Sequence, residues 1–401
     1  MSERSYSYSR QEINNDDIRS VTRVLRSDWL TQGPSVERFE RDLSSKLRAK
    51  HVSVVSSGTA ALHLLGLALG WRPGDLVITS PLTFLASANC ILYAGATPDF
   101  VDIDPHSYTI DIGRLRDRIE EKKKQGKRVK AVVAVDYAGH PCDWKSLREL
   151  ADRHGFQLVD DACHALGAKL GGDIGYAARF ADAAVLSFHP VKHITTGEGG
   201  AVLTNDSRLD ETLKILRTHG VTKNRAIMEK SDGPWYYEMH DLGFNYRITD
   251  LQCALGSSQL KRLDRIVSQR RRVAEYYDRV LSSADVLVTP GVSQEVEHSY
   301  HLYPLLVKFE SLKVDRKELF ERLSKKRINC QVHYIPVHLQ PYYRKNYGFK
   351  EGDFPEAESF YRREISIPMY PSLGKDDLKY ITTSLLESLE VQAFHQKGGK
   401  R

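Results

Sequence analysis

The chain has 401 residues, of which 41% are apolar and 27% are charged, and its formal net charge is +6. This size and composition allow a large buried core and predict one large and one smaller domain. The charge does not require a nucleic-acid partner, and we expect none. No apolar run approaches the roughly 20 residues that span a bilayer, so we expect no membrane partner.

Cysteine and histidine usage restricts the setting further. The five cysteines are scattered and form no C-x-x-C pair, which predicts a reduced, cytoplasmic environment. The polar N-terminal segment MSERSYSYSRQEINNDD is unlike a secretory signal. The pairs His189/His193 and His333/His338 lack acids or cysteines at metal-ligand spacing. We therefore expect no metal site.

Along the chain, residues 35–204 alternate helical stretches with apolar, strand-like ones such as LVITS, VKAVVAVDY, FQLVD, AAVLSF and GAVLT. This alternation predicts an α/β fold with a mostly parallel sheet flanked by helices. Helical spacing over residues 248–281 predicts long helices that leave the large domain. The predicted units are an N-terminal arm (1–34), a large domain (35–265), a smaller α+β C-terminal domain (266–392) and a disordered tail (393–401).

The first chemical motif is SSGTAALHLLGLALG, where a strand-like run gives way to a helix of small residues. Free backbone N–H groups at a helix start, with Gly58 and the hydroxyls of Ser57 and Thr59, suit a phosphate dianion. An ordinary Ser/Thr helix cap fits the same pattern. Neither G-x-x-x-x-G-K-[ST] nor G-x-G-x-x-G between a strand and a helix occurs, which disfavours the common nucleotide-binding folds.

Two further segments carry an aromatic ring and an acid. Phe84 lies at a predicted loop-to-helix junction, where its ring could stack on a flat cofactor or belong to the core. In FQLVDDACHALGA a hydrophobic strand ends in two acids, Asp160 and Asp161. A carboxylate at the carboxyl end of a strand is a usual ligand position in open α/β sheets. A helix cap or a solvated loop acid is the alternative.

The segment SFHPVKHITTGEGG places Lys192 just beyond an apolar strand and beside several glycines. Partial burial would lower the pKa of this lysine and leave a nucleophilic amine, as Schiff-base lysines require. Taken alone, a lysine in such a loop is usually solvated. Together with a phosphate cradle and Asp161, which could keep a pyridine nitrogen protonated, Lys192 completes the set that pyridoxal phosphate needs.

The ordered motifs SGTAAL, TFLASAN, DDACHALGA, SFHPVKHITTGEGG and GFNYRITDLQCALGSSQL resemble the DegT-type sugar-nucleotide aminotransferases, which have the aspartate aminotransferase fold (type I). Within that family, LTQGPSVERFE, VDYAGHP and NCQVHYIPVHLQPYY are most similar to members of the pseudaminic-acid pathway. Those members aminate carbon 4 of a UDP-linked 4-keto-6-deoxy-hexosamine. The resemblance implies a pyridoxal-phosphate enzyme that takes its amino group from L-glutamate and works as a homodimer with shared active sites.

The resemblance also implies roles for particular residues. Lys192 would form the Schiff base and transfer protons, and Asp161 would pair with the pyridine nitrogen. His164 stands where many members have a glutamine near the cofactor's phenolic oxygen. The residues implied around the phosphate are Ser57, Gly58, Thr59, Ser187 and, from the partner subunit, Asn245. Candidate substrate contacts are Tyr6, His189, Arg247, His333, Tyr334 and His338.

Three alternatives share this fold. The first is another nucleotide-sugar 3- or 4-aminotransferase. The second is a sugar dehydratase, a relative in which histidine replaces the lysine; residue 192 is Lys, which argues against it, although His189 and His193 flank that position. The third is a non-enzymatic sensor that binds the cofactor or a sugar as a ligand.

Overall fold

The structure is a computed structural model that describes residues 4–391. The predicted disordered tail, 393–401, lies outside the described residues. Within residues 4–391 none of the helices has the length and apolar character required to cross a membrane. The α-helices are α1 Asn15–Leu25, α2 Pro34–Leu47, α3 Gly58–Ala68, α4 Leu85–Tyr93, α5 Ile112–Lys124, α6 Trp144–His154, α7 Tyr176–Phe180, α8 Ser207–Leu216, α9 Asp250–Leu260, α10 Leu263–Leu281, α11 Arg316–Lys325, α12 Pro341–Tyr347, α13 Pro355–Arg363 and α14 Lys375–Ser388.

Short 3-10 turns and strands connect these helices. The 3-10 turns span Tyr137–Gly139, Phe309–Ser311 and Val337–Leu339. The strands are β1 Tyr6–Ser7, β2 His51–Val55, β3 Leu76–Thr79, β4 Thr97–Phe100, β5 Val129–Val135, β6 Gln157–Asp161, β7 Lys169–Leu170, β8 Ala183–Ser187, β9 Gly200–Thr204, β10 Val221–Thr222, β11 Glu238–Met239, β12 Leu287–Val288, β13 Val296–Glu297, β14 Pro304–Val307, β15 Ile328–Asn329 and β16 Glu364–Ser366.

The central sheet has seven strands in the order β2-β9-β8-β6-β5-β3-β4. Strands β8, β6, β5, β3 and β4 are parallel, whereas β9 runs antiparallel to both of its neighbours, β2 and β8. Non-consecutive parallel neighbours need crossover connections, which the intervening helices provide. The mostly parallel sheet predicted from the apolar runs is therefore confirmed.

Helices cover both faces of this sheet because its strands are apolar on both sides. Along β5, Val132 and Ala134 pack in one cluster with Trp144 of α6, whereas Ala131 and Val133 pack in another with Leu65 of α3. Successive side chains on a strand point to opposite faces, so each face gains its own core. The same alternation sends Asp160 and Asp161, at the end of β6, to opposite faces. The α/β fold class is confirmed.

The C-terminal part forms a second core around a three-stranded antiparallel sheet, β12-β14-β16. Its apolar residues pack with α10, α11 and α14, for example Leu305 with Tyr277 and Leu385. The predicted domain boundary at residues 265/266 falls within α10 and stays a prediction. At the other end of the chain, α1 packs against α9 through Asp17, which accepts hydrogen bonds from Ser258, Gln259 and Arg262.

In the stretch NCQVHYIP, regular pairing is confined to the end of β15 and to one isolated bridge between Gln331 and Ser366. Pro336 lacks the N–H group that a ladder requires, and the chain turns away from the sheet before it. The residues of this turn, from Gln331 to Ile335, instead line a cavity.

Candidate active site

A cavity of about 650 Å³ lies at the carboxyl ends of β6 and β8, beside the first turns of α3 and α4. This is where open α/β sheets bind ligands, and its volume lies in the usual range for such sites. Residues of the C-terminal part, including the turn after β15, complete the wall. A larger groove of about 910 Å³ lies elsewhere. Its Arg148 is held in ion pairs with Asp152 and Asp182, at 2.7 and 3.2 Å.

Lys192 reaches this cavity from the loop that follows β8. Thr195 holds the loop, because its hydroxyl donates to the Phe188 carbonyl and accepts from the Gly197 N–H, at 3.0 and 2.9 Å. The Lys192 Nζ lies 3.4 Å from Nε2 of His301. Burial lowers the pKa of Lys192, with a partial opposing effect from the nearby Cys163 and Asp161. A larger share of neutral amine is therefore present than on a surface lysine.

Asp161 ends β6 and lines the same cavity. Its Oδ2 accepts a hydrogen bond from the Ser87 hydroxyl at 2.5 Å, and its Oδ1 accepts from the Cys163 N–H at 3.2 Å. The Ser87 hydroxyl lies 2.7 Å from that of Thr83, which fixes its position in turn. The carboxylate is therefore held in one orientation by donors from two different segments.

The first turn of α3 and the end of β8 form a polar cradle in the cavity wall. Ser57 caps the helix by accepting from the Ala60 N–H at 3.0 Å, so the N–H groups of Gly58 and Thr59 keep no intrahelical partner. A Cβ at Gly58 would lie 3.0 Å from the Ser187 Cβ, which is tighter than almost all such contacts. Glycine thus lets the helix start approach Ser187, and the cradle suits an anion.

His164 also lines the cavity and is buried. Its Nδ1 accepts from the Ala138 N–H at 3.2 Å, and its Nε2 lies 3.1 Å from the Tyr334 hydroxyl. Burial and the nearby Lys192 hold the pKa of His164 well below its ordinary value. The neutral ring must then carry its proton on Nε2, because Nδ1 already accepts a hydrogen bond.

Phe84 is 54% exposed, and its ring centroid lies 5.9 Å from that of Tyr334.

The predicted site residues do not all reach the cavity of the single chain. Those that line it are Ser57, Gly58, Thr59, Phe84, Asp161, His164, Ser187, His189, Lys192, His333 and Tyr334. Tyr6 does not, because its hydroxyl donates to Asp377 at 2.9 Å, and Tyr8 lines the wall instead. His338 is 0% exposed and lies 3.0 Å from Glu358. Asn245 and Arg247 lie outside the lining, with Asn245 exposed.

Sequence reasoning missed residues in the cavity wall and behind it. Ser87, which holds Asp161 from behind the wall, lies in the first turn of α4, within the motif TFLASAN, and its position after Phe84 could have indicated it. His301 contacts Lys192 from 109 positions away in sequence, and its ring centroid lies 4.4 Å from that of His164. Nothing local in HSYHLYPL distinguishes His301 from His298, so no sequence signal separated them.

Comparisons with known proteins agree with this geometry. The model of the DegT/DnrJ/EryC1/StrS aminotransferase family matches residues 11–386. The spore coat polysaccharide biosynthesis protein SpsC of Bacillus subtilis is 40% identical over 376 residues, 92% of this chain and 94% of its own. The UDP-4-amino-4,6-dideoxy-N-acetyl-beta-L-altrosamine transaminase of Campylobacter jejuni is 37% identical over 383 residues, 96% of this chain and 97% of its own.

A solved structure leads to the same family. That of Helicobacter pylori PseC, described as an aminotransferase involved in the biosynthesis of pseudoaminic acid, superposes with a TM-score of 0.86 at 34% identity. The similarity covers 96% of this chain and 100% of that one. The chain belongs to the DegT/DnrJ/EryC1/StrS aminotransferase family.

Proposed function

We propose that this aminotransferase uses pyridoxal phosphate to move an amino group from L-glutamate to the 4-keto group of a UDP-linked 6-deoxy-hexosamine. The product would be of the UDP-4-amino-4,6-dideoxy-N-acetyl-altrosamine type. The observation that carries the proposal is the convergence of the Lys192 amine, the Asp161 carboxylate and the Ser57–Thr59 cradle on one cavity. The names of the Campylobacter jejuni and Helicobacter pylori relatives support the choice of sugar and pathway.

The residues present fit the cofactor. Pyridoxal phosphate, when bound, supplies an aldehyde that reacts with amines and a ring that accepts electrons. Lys192 provides the amine for that aldehyde. Asp161, fixed by Ser87 and the Cys163 N–H, provides the negative charge that a protonated pyridine nitrogen needs. The cradle of Ser57, Gly58, Thr59 and Ser187 suits the phosphate.

Proton transfer falls to Lys192 in this proposal. Its lowered pKa increases the share of neutral amine, which can take a proton and return it. Burial and the nearby Lys192 hold the pKa of His301 well below its ordinary value, so this imidazole stays neutral beside the amine. A neutral neighbour does not repel a protonated lysine as a cation would. Lys192 can therefore alternate between its two forms.

His189, His333 and Tyr334 are the proposed substrate contacts, because they line the cavity beyond the cradle. Tyr6 and His338 are engaged with Asp377 and Glu358, so any effect they have on substrate acts through the packing of the wall.

Asn245 and Arg247 are proposed to act across a homodimer. Asn245 is exposed, and the preceding segment carries the apolar side chains of Trp235 and Leu242, which are 72% and 74% exposed. Exposed apolar side chains gathered on one segment favour an interface with another chain. We propose that Asn245 of one subunit completes the phosphate cradle of the other.

The test of function is product analysis. The purified protein, loaded with pyridoxal phosphate, is incubated with L-glutamate and a panel of nucleotide keto-sugars, and products are identified by mass spectrometry. We expect an amino sugar from a UDP-linked 4-keto-6-deoxy-hexosamine. A deoxygenated product without new nitrogen would instead indicate the dehydratase. If no amino donor changes the cofactor's absorbance, the non-enzymatic sensor is favoured.

Mixed dimers test the shared site. Subunits carrying Lys192→Ala are mixed with subunits carrying Asn245→Asp, whose new charge repels phosphate. If Asn245 acts in the partner's site, each mixed dimer contains one site with both native residues and regains activity that neither parent has. If Asn245 acts within its own subunit, no site keeps both residues and activity stays absent.

A further inference from the structure

A buried acid, a hydroxyl and an imidazole form a hydrogen-bonded chain behind one wall of the cavity. Glu364 Oε1 lies 2.5 Å from the Ser366 Oγ, and Ser366 Oγ lies 2.8 Å from Nδ1 of His333. The second carboxyl oxygen of Glu364 accepts from the His333 N–H at 2.9 Å. Glu364 is 0% exposed. Glu364 and Ser366 point to the same face of β16 because they are two positions apart on the strand.

The single hydroxyl proton of Ser366 allows two arrangements of this chain. When Glu364 is protonated, its O–H donates to Ser366 and Ser366 donates to Nδ1 of His333, so the neutral ring carries its proton on Nε2. When Glu364 is ionised, Ser366 donates to the carboxylate and Nδ1–H donates to Ser366. Nε2 of His333 is then bare. The directions of both hydrogen bonds reverse together.

The surroundings favour the first arrangement near neutral pH. Burial raises the pKa of Glu364 to about 8, opposed by Ser366, the His333 N–H and the Arg316 guanidinium. Burial and the charge of Lys192 lower the pKa of His333 to about 3, so this ring stays neutral. Four other titratable groups interact electrostatically with Glu364. Their pKa values are raised, so they are uncharged near neutral pH: Tyr108, Tyr137, Cys330 and Tyr334.

The His333 end of this hydrogen-bonded chain lies at the cavity. His333 lines it, with ring centroids 5.0 Å from Tyr8 and 4.9 Å from Tyr334, two further lining residues. Within residues 4–391, Nε2 of His333 makes no hydrogen bond, whereas Nδ1 and the backbone N–H are both engaged. Nε2 is therefore the ring nitrogen through which His333 can bond a ligand.

We propose that Glu364 and Ser366 are positioning residues that decide which ring nitrogen of His333 carries the proton. His333 then presents an N–H donor to an acceptor oxygen of the bound substrate while Glu364 is protonated, and a bare acceptor nitrogen once Glu364 ionises. The identity of that oxygen as part of a substrate rests on the proposed function; the coupling of Glu364 to His333 does not.

The chain also gives His333 an acidity that a neutral imidazole lacks. If Nε2 releases its proton to a bound oxygen, Nδ1 gains the Ser366 proton and Ser366 gains the Glu364 proton. One proton leaves the chain, and the negative charge comes to rest on Glu364. The cavity thus gains a donor whose acidity is that of a buried carboxylic acid, suited to an oxygen that leaves a carbonyl carbon as water.

Nitrogen NMR of the full-length protein with ¹⁵N-labelled histidine tests the proposal, with and without pyridoxal phosphate. The His333 signals are identified by their loss in His333→Gln. We expect the Nε2–H form at about pH 6 and the Nδ1–H form at about pH 10, because these values bracket the titration of Glu364. One form throughout the range overturns the proposal. Absence of cofactor binding would overturn the proposed function and leave this titration measurable.

Variants separate the coupling from a structural role. In Glu364→Gln the amide can donate to Ser366 and accept from the His333 N–H at every pH, so His333 should keep the Nε2–H form. Ser366→Ala should abolish the switch while Glu364 still titrates, as seen in the infrared C=O band of its protonated form. Glu358→Gln, a matched buried variant that does not touch His333, should titrate like the native protein. A switch that survives in Glu364→Gln, or is lost equally in Glu358→Gln, contradicts the proposal.

Discussion

Two sheets meet at the cavity, and they present their chemistry differently. The seven-stranded sheet places Asp161 and Ser187 directly at the ends of its parallel strands, with Lys192 in the loop beyond. The three-stranded sheet keeps Glu364 fully buried, and Ser366 connects this acid to His333 in the cavity wall. One side therefore exposes its titratable groups to the ligand, whereas the other hides its acid behind two neutral side chains.

The difference follows from how each sheet is built. Parallel strands end at one common edge, where side chains and helix starts converge and can bind a charged ligand. In the antiparallel sheet, neighbouring strands end at opposite edges, so its polar residues act through cross-strand and loop contacts. We expect substitutions on the first side to abolish reaction steps, and those on the second to change protonation.

The largest effect is expected at Lys192. Lys192→Ala should lower turnover by at least about 10³-fold, since it removes the proposed nucleophile, which is also the proposed proton-transfer group. Steady-state rates with the keto-sugar measure the loss. Lys169→Ala is the matched control, because Lys169 does not line the cavity. Its Nζ forms an ion pair with Glu297 at 3.2 Å. Equal losses in the two variants would remove Lys192 from its proposed role.

Adjacent acids provide the next test. Asp161→Asn should lower turnover by about 10²-fold or more, because a neutral amide no longer stabilises a protonated ring nitrogen. Asp160→Asn should leave turnover near the native value, because Asp160 points to the opposite face and burial already favours its protonated form by raising its pKa. The rates of the two variants are compared at equal cofactor occupancy. Similar losses in both would contradict the assignment to Asp161.

His301 should control the acidity of Lys192, with an effect of about tenfold. Loss of its ring in His301→Ala admits water and raises the pKa of Lys192 towards the ordinary value. Because the neutral amine is the reactive form, capture of pyridoxal phosphate by the apoprotein should rise with pH through that pKa. The rise should move to higher pH in His301→Ala. An unchanged pH profile of the capture rate, followed by absorbance, would exclude this influence.

The smallest expected effect is on the free energy of unfolding. It distinguishes two buried acids, Asp160 and Asp136. Burial raises the pKa of Asp160, so above about pH 4 the unfolded chain is ionised there while the folded chain still resists ionisation. Asp160 therefore costs stability increasingly as pH rises, and Asp160→Asn should stabilise the fold more at about pH 8 than at about pH 5. Urea unfolding at both pH values measures this difference.

Asp136→Asn should have the opposite effect and destabilise the fold. Asp136 accepts hydrogen bonds from the Cys142 N–H, the Trp144 indole and the Tyr176 hydroxyl, at 2.8, 3.0 and 2.5 Å. An amide cannot accept all three, so this change should cost about 1–3 kcal/mol. Stabilisation by Asp136→Asn would show that these bonds do not hold the carboxylate as described.

The sequence predicted the first side of the cavity far better than the second. The motifs around Ser57, Asp161 and Lys192 are local, since each follows a strand directly, and the predicted parallel sheet brings such strand ends together. The chain formed by Glu364, Ser366 and His333 joins segments about 30 residues apart through a turn with no periodic pattern. Tyr6 and His338 could not be placed either, because their partners, Asp377 and Glu358, lie on other elements.

The position of β9 determines when the proposed cofactor site can first form. β2, which leads into the cradle, joins the sheet only through β9, and a Cβ at Gly200 would lie 2.4 Å from the Ser57 carbonyl oxygen. During synthesis, β2 must therefore wait unpaired for some 150 residues until Gly200–Thr204 leaves the ribosome and inserts beside β8. We expect a nascent chain truncated before β9 to contain both parts of the proposed cofactor site without bringing them together.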